Sequence, residues 1–321
     1  MEEREIPSKI IVKESNKRLD IYLQERFNSL SRSYIQKLIK ENKILIRKNQ
    51  KDLPKKKIKP SLMVEIGMEI SIEDSLAKEK KPIEPIKIDF DILYEDEYLS
   101  IIHKPAGISV HPPQNESKGI TLLNGILYKW KELQIQNPTS NFRAGIVHRL
   151  DKMTEGLLII AKNPSTQWKL AKLFQSRNIQ KNYIAWLMNT PPEEEGRIEL
   201  PLKRNPKDRK KMRVDPTGRM ATTEYKIEKV ILSNRNRKFT KVYINLITGR
   251  THQIRAHFHY LNCPIVGDTL YASMPTHLEK FGLLLLSKKI SFLHPETSRP
   301  IIAEIPEPKR FLEFEKKCQF Y

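Results

Sequence analysis

The sequence predicts an α+β protein in two parts. A small, basic N-terminal α/β module is followed by a larger domain with a mixed, mainly antiparallel sheet flanked by helices. Three observations carry this reading. Segments of helical and of strand period are interspersed along the 321 residues without the regular beat of a parallel α/β fold. The stretch "EDSLAKEKKPIEPIK", Glu73 to Lys87, mixes charges with two prolines and has no period, which marks a linker. Positive charge is concentrated in two short clusters, one on each side of that linker. The expected boundaries are residues 1–74 (core about 17–73), a linker at 75–87 and a second domain at 88–321.

The elements follow in order. Leu19, Leu23 and Phe27 recur at helical spacing, and Ser31 is a suitable N-cap for a second helix with Ile35, Leu38 and Ile39 on one face. Arg32, Lys37 and Lys40 then point away from that face, toward solvent or phosphate. "KILIR" reads as a strand, and "LMVEIGMEISIE" as a strand pair broken at Gly67. Beyond the linker, Tyr98 to His103 is a strand, followed by a turn at Pro105 and Gly107. Leu157 to Ala161 is an apolar run of buried-strand length. "NPSTQWKLAKLFQSRN" is a helix with Asn163 as N-cap and Pro164 at its first position. "KNYIAWLM" and "KFTKVYINLITGR" are strands; in the latter Val242, Ile244 and Leu246 alternate with polar residues. "THQIRAHFHYL" is a helix capped by Thr251, with Ile254, Phe258 and Leu261 on one face. "LLLLSKKISFLHP" returns to strand.

Composition narrows the class. Hydrophobic residues make up 39% and charged residues 30%, enough apolar material for a core. The two cysteines, Cys263 and Cys318, form no CxxC pair and read as free thiols in a reducing compartment. "MEEREIPSKI" lacks the apolar centre of a signal peptide, and no apolar run approaches the ~20 residues of a membrane helix. A cytoplasmic, soluble monomer is the expectation.

The formal net charge is +20. Ser31 to Lys59 contributes 11 Lys or Arg against 2 acids, and Lys203 to Arg213 contributes 7 against 1. A solvated face would explain scattered charge. Clustering on this scale instead fits a polyanionic partner. No basic amphipathic helix with a large aromatic face accompanies the clusters, which argues against a membrane surface.

Chemistry is narrowed by elimination. His252, His257 and His259 lie near Cys263, but they lack the i, i+4 pair and the acidic ligand of a helical zinc site, so no metal is expected. The H-x-E and P-C-x-x-C motifs of zinc base deaminases are missing. "HRLD" is not the kinase order H-R-D, and no Gly-rich phosphate loop or G-x-S-x-G elbow occurs. No cofactor is expected either. What remains is Asp151 in a basic setting. An ordinary Asp in a turn would be a structural partner of Arg149, Lys152 or another basic residue.

Two sets of motifs point further. "RLDIYL", "SRSYIQKLIKENKILI" and "KPSLMVEIGMEISI" resemble the S4 RNA-binding module, which implies binding of structured RNA through the second helix and the basic loop after it. "IIHKPAGISVHP", "GIVHRLDKMTEGLLIIAKN", "KNYIAWL" and "LITGRTHQIRAHFHYLNCPIVGDTLY" resemble, in order, the motifs of the RluA-type pseudouridine synthases. "LLLLSKKISFLHPETSRPIIAEIPEP" is similar to that family's closing segment. The likeness covers nearly all of Asp89 to Phe311. It implies that Asp151 is the catalytic aspartate, that Tyr183 packs against the target base, that Arg255 pairs with the aspartate, and that Arg149 stands near the gap a flipped base leaves. Glu155, Ala144 and His103 depart from the usual Ser, Pro and Asn; Glu155 would add negative charge near an anionic substrate. The substrate implied is RNA, in first place 23S ribosomal RNA. The alternatives are a synthase acting on tRNA and a non-catalytic RNA-binding assembly factor.

Overall fold

The computed structural model describes residues 9–27, 32–48, 58–72, 83–112, 119–133 and 144–321. These fall into two compact units that divide between Pro82 and Ile83. The second unit therefore takes in the end of the expected linker. Ile83 is buried in its core, Ile86 N–H bonds Asn124 O, and the Asn124 side chain donates to Glu84 O. The expected linker residues before Ile83 lie outside the described residues.

The first unit holds β1 (Lys9–Ile11), α1 (Leu19–Arg26), α2 (Arg32–Lys40), β2 (Ile44–Arg47) and β3 (Glu69–Ile72). Its antiparallel sheet has the order β1-β3-β2. Leu19, Leu23, Phe27, Ile35, Leu38 and Ile39 meet Ile44, Ile46 and Ile70 in one core. Two expectations change. β1 was not expected, and the pair around Gly67 is a single strand, with Met63 bridging Arg18 instead. Ser31 lies outside the described residues.

The second unit contains β4 (Asp91–Glu95), β5 (Leu99–Lys104), α3 (Leu122–Lys129), β6 (Glu155–Ala161), α4 (Pro164–Gln175) and β7 (Gln180–Met188). There follow β8 (Glu195–Glu199), β9 (Leu202–Arg204), β10 (Met212–Val214), β11 (Thr222–Leu232), β12 (Lys238–Leu246) and α5 (Gln253–Tyr260). α6 (Thr276–Glu279), β13 (Leu285–Leu293), β14 (Pro300–Glu304) and α7 (Lys309–Lys317) complete it. One sheet runs β4-β5-β6-β13-β7-β12-β11-β8, with β14 on β13. Its pairs are antiparallel except β6 with β13, so the sheet is mixed and mainly antiparallel, as the pattern predicts. β9 and β10 form a separate hairpin that carries the second basic cluster. Both faces of the large sheet are apolar and buried, one against Leu122, Ile126, Ile254 and Phe258, the other against Leu170, Phe311 and Phe314. The Asn163 side chain accepts Thr166 N–H at 2.8 Å, the cap the sequence signals for α4.

The parallel contact of β6 and β13 fixes the centre of the sheet. Gly156 pairs with Ser287 at a φ of 128°, and a Cβ there would lie 2.3 Å from Ser287 O. Only glycine fits so close to a neighbouring backbone in that conformation. The turn ending at Gly156 is the one that holds Asp151.

Candidate active site

Asp151 sits at the tip of a segment folded back along β6. Ile146 bridges Ile160, and Ala161 N–H bonds Gly145 O at 2.7 Å. Nε2 of His148 accepts Ile159 N–H at 2.9 Å, which places the ring proton of the neutral imidazole on Nδ1. Burial, with Lys181 adding to it, drives the His148 pKa down to about 3, so the ring stays neutral and serves as an anchor. The far side of the turn is clamped by the "HKPAG" segment. Gly107 N–H and the Lys104 ammonium both donate to Lys152 O, at 2.9 and 3.2 Å. Lys104 is fully buried and also bonds the carbonyls of Pro105 and Ile108. Burial lowers its pKa to about 8, against the pull of Asp151 and Glu155.

A second segment supplies the facing cation. The Gln253 side chain accepts from Thr248 Oγ1 and Arg250 N–H, and donates to Thr222 O and Thr223 Oγ1. His257 bonds Thr223 Oγ1 and Leu200 O, so both ring nitrogens are occupied. These contacts fix α5 on β11 and aim Arg255 at two carboxylates. Arg255 Nε and Nη2 reach Asp268 at 2.8 and 2.7 Å, while Nη1 lies 3.4 Å from Asp151 Oδ2. Burial opposes the charge on Arg255, but the bonds from Asp268 outweigh it and its pKa is raised. The fork is thus oriented by Asp268 and presents its remaining nitrogen to Asp151.

The N-cap of α5 is His252, not the expected Thr251. His252 adopts a left-handed φ of 53°, which turns its ring inward. Met212 N–H donates to Tyr271 Oη at 2.8 Å, and His252 Nδ1 lies 3.1 Å from the same oxygen. Tyr271 Oη thus links the Met212 backbone to the His252 ring, whose Nε2 lies 3.8 Å from Asp151 Oδ2. Burial lowers the His252 pKa, partly offset by Asp151. Tyr271 also lies under Arg255, with Cζ 5.1 Å from the ring centroid.

The residues singled out in the sequence come together unevenly. Asp151 and Arg255 touch, and Arg149 is exposed two residues ahead of Asp151. Tyr183 lies on β7 opposite Ser287 and is only 4% exposed, so most of its ring is covered rather than laid open. Burial pushes its hydroxyl up to about 12, with Asp151 adding to the rise, so it stays protonated. Glu155 does not add free charge. His103 Nε2 lies 3.1 Å from one of its oxygens, and Arg310 reaches the other at 2.9 and 3.2 Å, so two departures from the usual motif are partners of one another. These bonds hold the Glu155 carboxyl below its usual pKa against its burial. In the first unit, Arg32 does not point freely outward as expected: its Nε donates to Asp20 Oδ2 at 3.0 Å. Lys40 is exposed, and the side chain of Lys37 lies outside those described. Asp268, Tyr271 and Lys104 were not singled out, and His252 was weighed only as a metal ligand, although all lie inside the motif stretches; the signal for them was position in a motif, not spacing.

A carboxylate faced by a buried, pre-oriented arginine, in the turn that enters the centre of a mixed sheet, defines a site for acid–base or nucleophilic chemistry. Residues 98–260 match the family model for RNA pseudouridylate synthase. An RNA pseudouridine synthase of Aquifex aeolicus is 33% identical over 309 residues, covering 94% of this chain and 93% of its own. The ribosomal large subunit pseudouridine synthases D of Escherichia coli K12 and Yersinia pestis are both 37% identical, over 80% of this chain and 73% and 74% of theirs. The human RNA pseudouridylate synthase domain containing 1 shares the fold, with a TM-score of 0.55 and 22% identity over 68% of this chain and 84% of its own. The chain belongs to the RNA pseudouridine synthase family, of the RluA type. It is an isomerase that converts uridine in RNA to pseudouridine.

Proposed function

We propose that the chain modifies uridines of large-subunit ribosomal RNA, with Asp151 as its catalytic carboxylate. The Asp151–Arg255–Asp268 arrangement is the observation that carries the site assignment. Pseudouridine formation breaks the N1 glycosidic bond, turns the base and rejoins it to C1′ through C5; C5 gives up its proton and N1 takes one up, so the product is an isomer. A uridine in folded RNA must first leave its stack, at a cost of a few kcal/mol. Arg149, exposed and planar, suits the vacated gap. Asp151 acts as nucleophile at C1′ or as base at C2′, with the Arg255 guanidinium facing its carboxylate. Tyr183 lies beneath the base and keeps its proton.

The ribosomal substrate is supported by the names of the Escherichia coli and Yersinia pestis relatives. The first unit is read as an S4-like RNA-binding module, with α2 and the basic loop after it on the RNA and Arg32, Lys37 and Lys40 among the contacts. The test is direct: pseudouridines are mapped in large-subunit RNA from cells with and without the gene, and tritium release is followed from 5-tritiated uridine RNA with purified protein. Loss of specific pseudouridines in the deleted strain, restored by wild type and not by Asp151→Asn, is the expected result. An unchanged ribosomal map excludes this substrate.

A further inference from the structure

Four lysines of the second unit are withdrawn from solvent, and three have a visible reason to be. Lys104 bonds three carbonyls. Lys162 bonds Asp96 O and pairs with Glu95. Lys241 pairs with Glu307 and Glu315. The fourth, Lys181, is 9% exposed and, among the described residues, its ammonium has neither a hydrogen-bond acceptor nor a carboxylate partner. Its neighbours are the Phe174 ring, 6.0 Å from Nζ, and the α-carbon of Gly249, where an added Cβ would stand 3.9 Å away.

Withdrawing most of a lysine from water with no counter-charge beside its ammonium is costly. Burial alone lowers the Lys181 pKa, to about 8, so the group still carries most of its charge near neutral pH. Position gives that charge a use. Lys181 precedes Tyr183 by two residues on β7, so both project from the same face of the sheet. Its charge is felt by His148 in the Asp151 turn, and Gly249 belongs to the turn leading into His252 and Arg255. The ammonium therefore stands where the two turns that build the site converge, with small Gly249 leaving room beside it.

We propose that Lys181 is an anion site completed by the substrate: its ammonium pairs with a backbone phosphate of the RNA next to the displaced uridine. This rests on the reading of the chain as acting on a uridine drawn into the Asp151 cleft. A phosphodiester fits better than a base edge, because a point charge with three donors recognises charge rather than a pattern of donors and acceptors.

The test uses the full chain, wild type beside Lys181→Met and Lys181→Arg, on a transcribed large-subunit RNA fragment across several salt concentrations. Loss of one phosphate contact lowers the salt slope of log affinity by about 0.7 to 0.9. Lys181→Met is expected to show that fall and about tenfold weaker binding, while Lys181→Arg keeps the slope. In a second arm, neutral methylphosphonates replace, one at a time, the phosphates flanking a mapped target uridine. One of them is expected to weaken wild type and to leave Lys181→Met no weaker than it already is. Equal slopes for wild type and a folded Lys181→Met protein, with matched circular dichroism and melting, would overturn the proposal. So would a Lys181→Met loss that adds to the effect of every methylphosphonate. If Lys181→Met does not fold, insensitivity of wild type to both methylphosphonates overturns it equally. Absence of any pseudouridine made by wild type refutes the functional reading instead, and leaves the salt slope to decide whether Lys181 meets a phosphate.

Discussion

Asp20 and Asp151 both sit among arginines, one in each unit, and they are built in opposite ways. Asp20 has no exposed side-chain surface and accepts from Arg18 at 3.0 and 3.1 Å, Arg32 at 3.0 Å and Gln36 at 2.6 Å. Burial works to raise its pKa, yet those bonds hold it down to about 2. Asp151 is 17% exposed, with one guanidinium nitrogen at 3.4 Å and an imidazole nitrogen at 3.8 Å. A buried carboxylate with four such bonds joins helices α1 and α2 and has no open face to offer a reactant. An under-satisfied one, faced by an arginine whose direction another acid fixes, keeps lone pairs open for chemistry. Saturation, more than the mere presence of arginine, separates a structural acid from a reactive one.

The largest expected effect is at Asp151. Asp151→Asn keeps the shape and removes the charge, so tritium release should fall by about 10²–10⁴-fold or more, with melting temperature and RNA affinity nearly unchanged. Substantial turnover by a verified mutant protein would end the comparison. Arg255→Lys and Asp268→Asn come next. The lysine keeps charge but loses the fork that spans both acids, so single-turnover rates should drop by more than binding does. Asp268→Asn breaks a buried pair, at about 3 kcal/mol or more in stability, and frees Arg255 from its orientation. If Asp268→Asn melts early but turns over at the wild-type rate, Arg255 does not need its anchor.

Asp20→Asn should reverse the pattern: lower stability of the first unit by about 1–3 kcal/mol, and no change in turnover at saturating RNA. Acid separates the two regions as well. The folded pKa of Asp20 lies below its usual 3.8, so its contribution is complete above 3.8 and is lost as pH falls toward 2. His148 behaves differently. Its folded pKa of about 3 lies below the ordinary 6.5, so the unfolded chain takes up a proton that the native chain refuses. Stability of the second unit is therefore complete above 6.5 and declines between 6.5 and 3. Hydrogen-exchange protection of Ile159, whose N–H donates to His148, should fall in that window while that of Ile70 in β3 holds. Parallel losses would show that His148 is not the group responsible.

Period and capping made much of the fold legible. The apolar run of β6, the Asn163 cap and the alternation in β12 depend on neighbouring residues, and each element formed where its pattern stands. Asp151 was legible only through the motifs around it, since the residue by itself favours the ordinary role of an ion-pair partner. What escaped is tertiary. Asp268 reaches Arg255 from a loop 13 residues on, and Glu155 meets Arg310 across 155 residues. Helical spacing turned Arg32 away from its own helix's apolar face correctly, but could not show that Asp20 waits 12 residues earlier on the neighbouring helix. Likewise the Thr251 cap was a sound local choice that lost to the left-handed turn at His252.

The smallest expected effect tests whether Arg32 belongs to structure or to RNA. Lys40 is exposed on α2 and has no carboxylate partner among the described residues. If it meets a phosphate, Lys40→Ala should lower the salt slope by about 0.7 to 0.9 and leave stability alone. Arg32 already neutralises part of Asp20, so much of its charge is committed inside the protein. Arg32→Ala should therefore flatten the slope by less than Lys40→Ala does, and should lower the melting temperature, because Asp20 then keeps, among the described residues, Arg18 and Gln36 as side-chain donors. The measurement is a binding titration at several salt concentrations on one ribosomal RNA fragment, with a melt of each protein. A full-sized change in slope for Arg32→Ala without any loss of stability would place Arg32 on the RNA and make the Asp20 pair incidental. A solvated face makes a third forecast: neither substitution moves the slope, and the hairpin of β9 and β10, with seven basic residues between Lys203 and Arg213, becomes the main electrostatic contact.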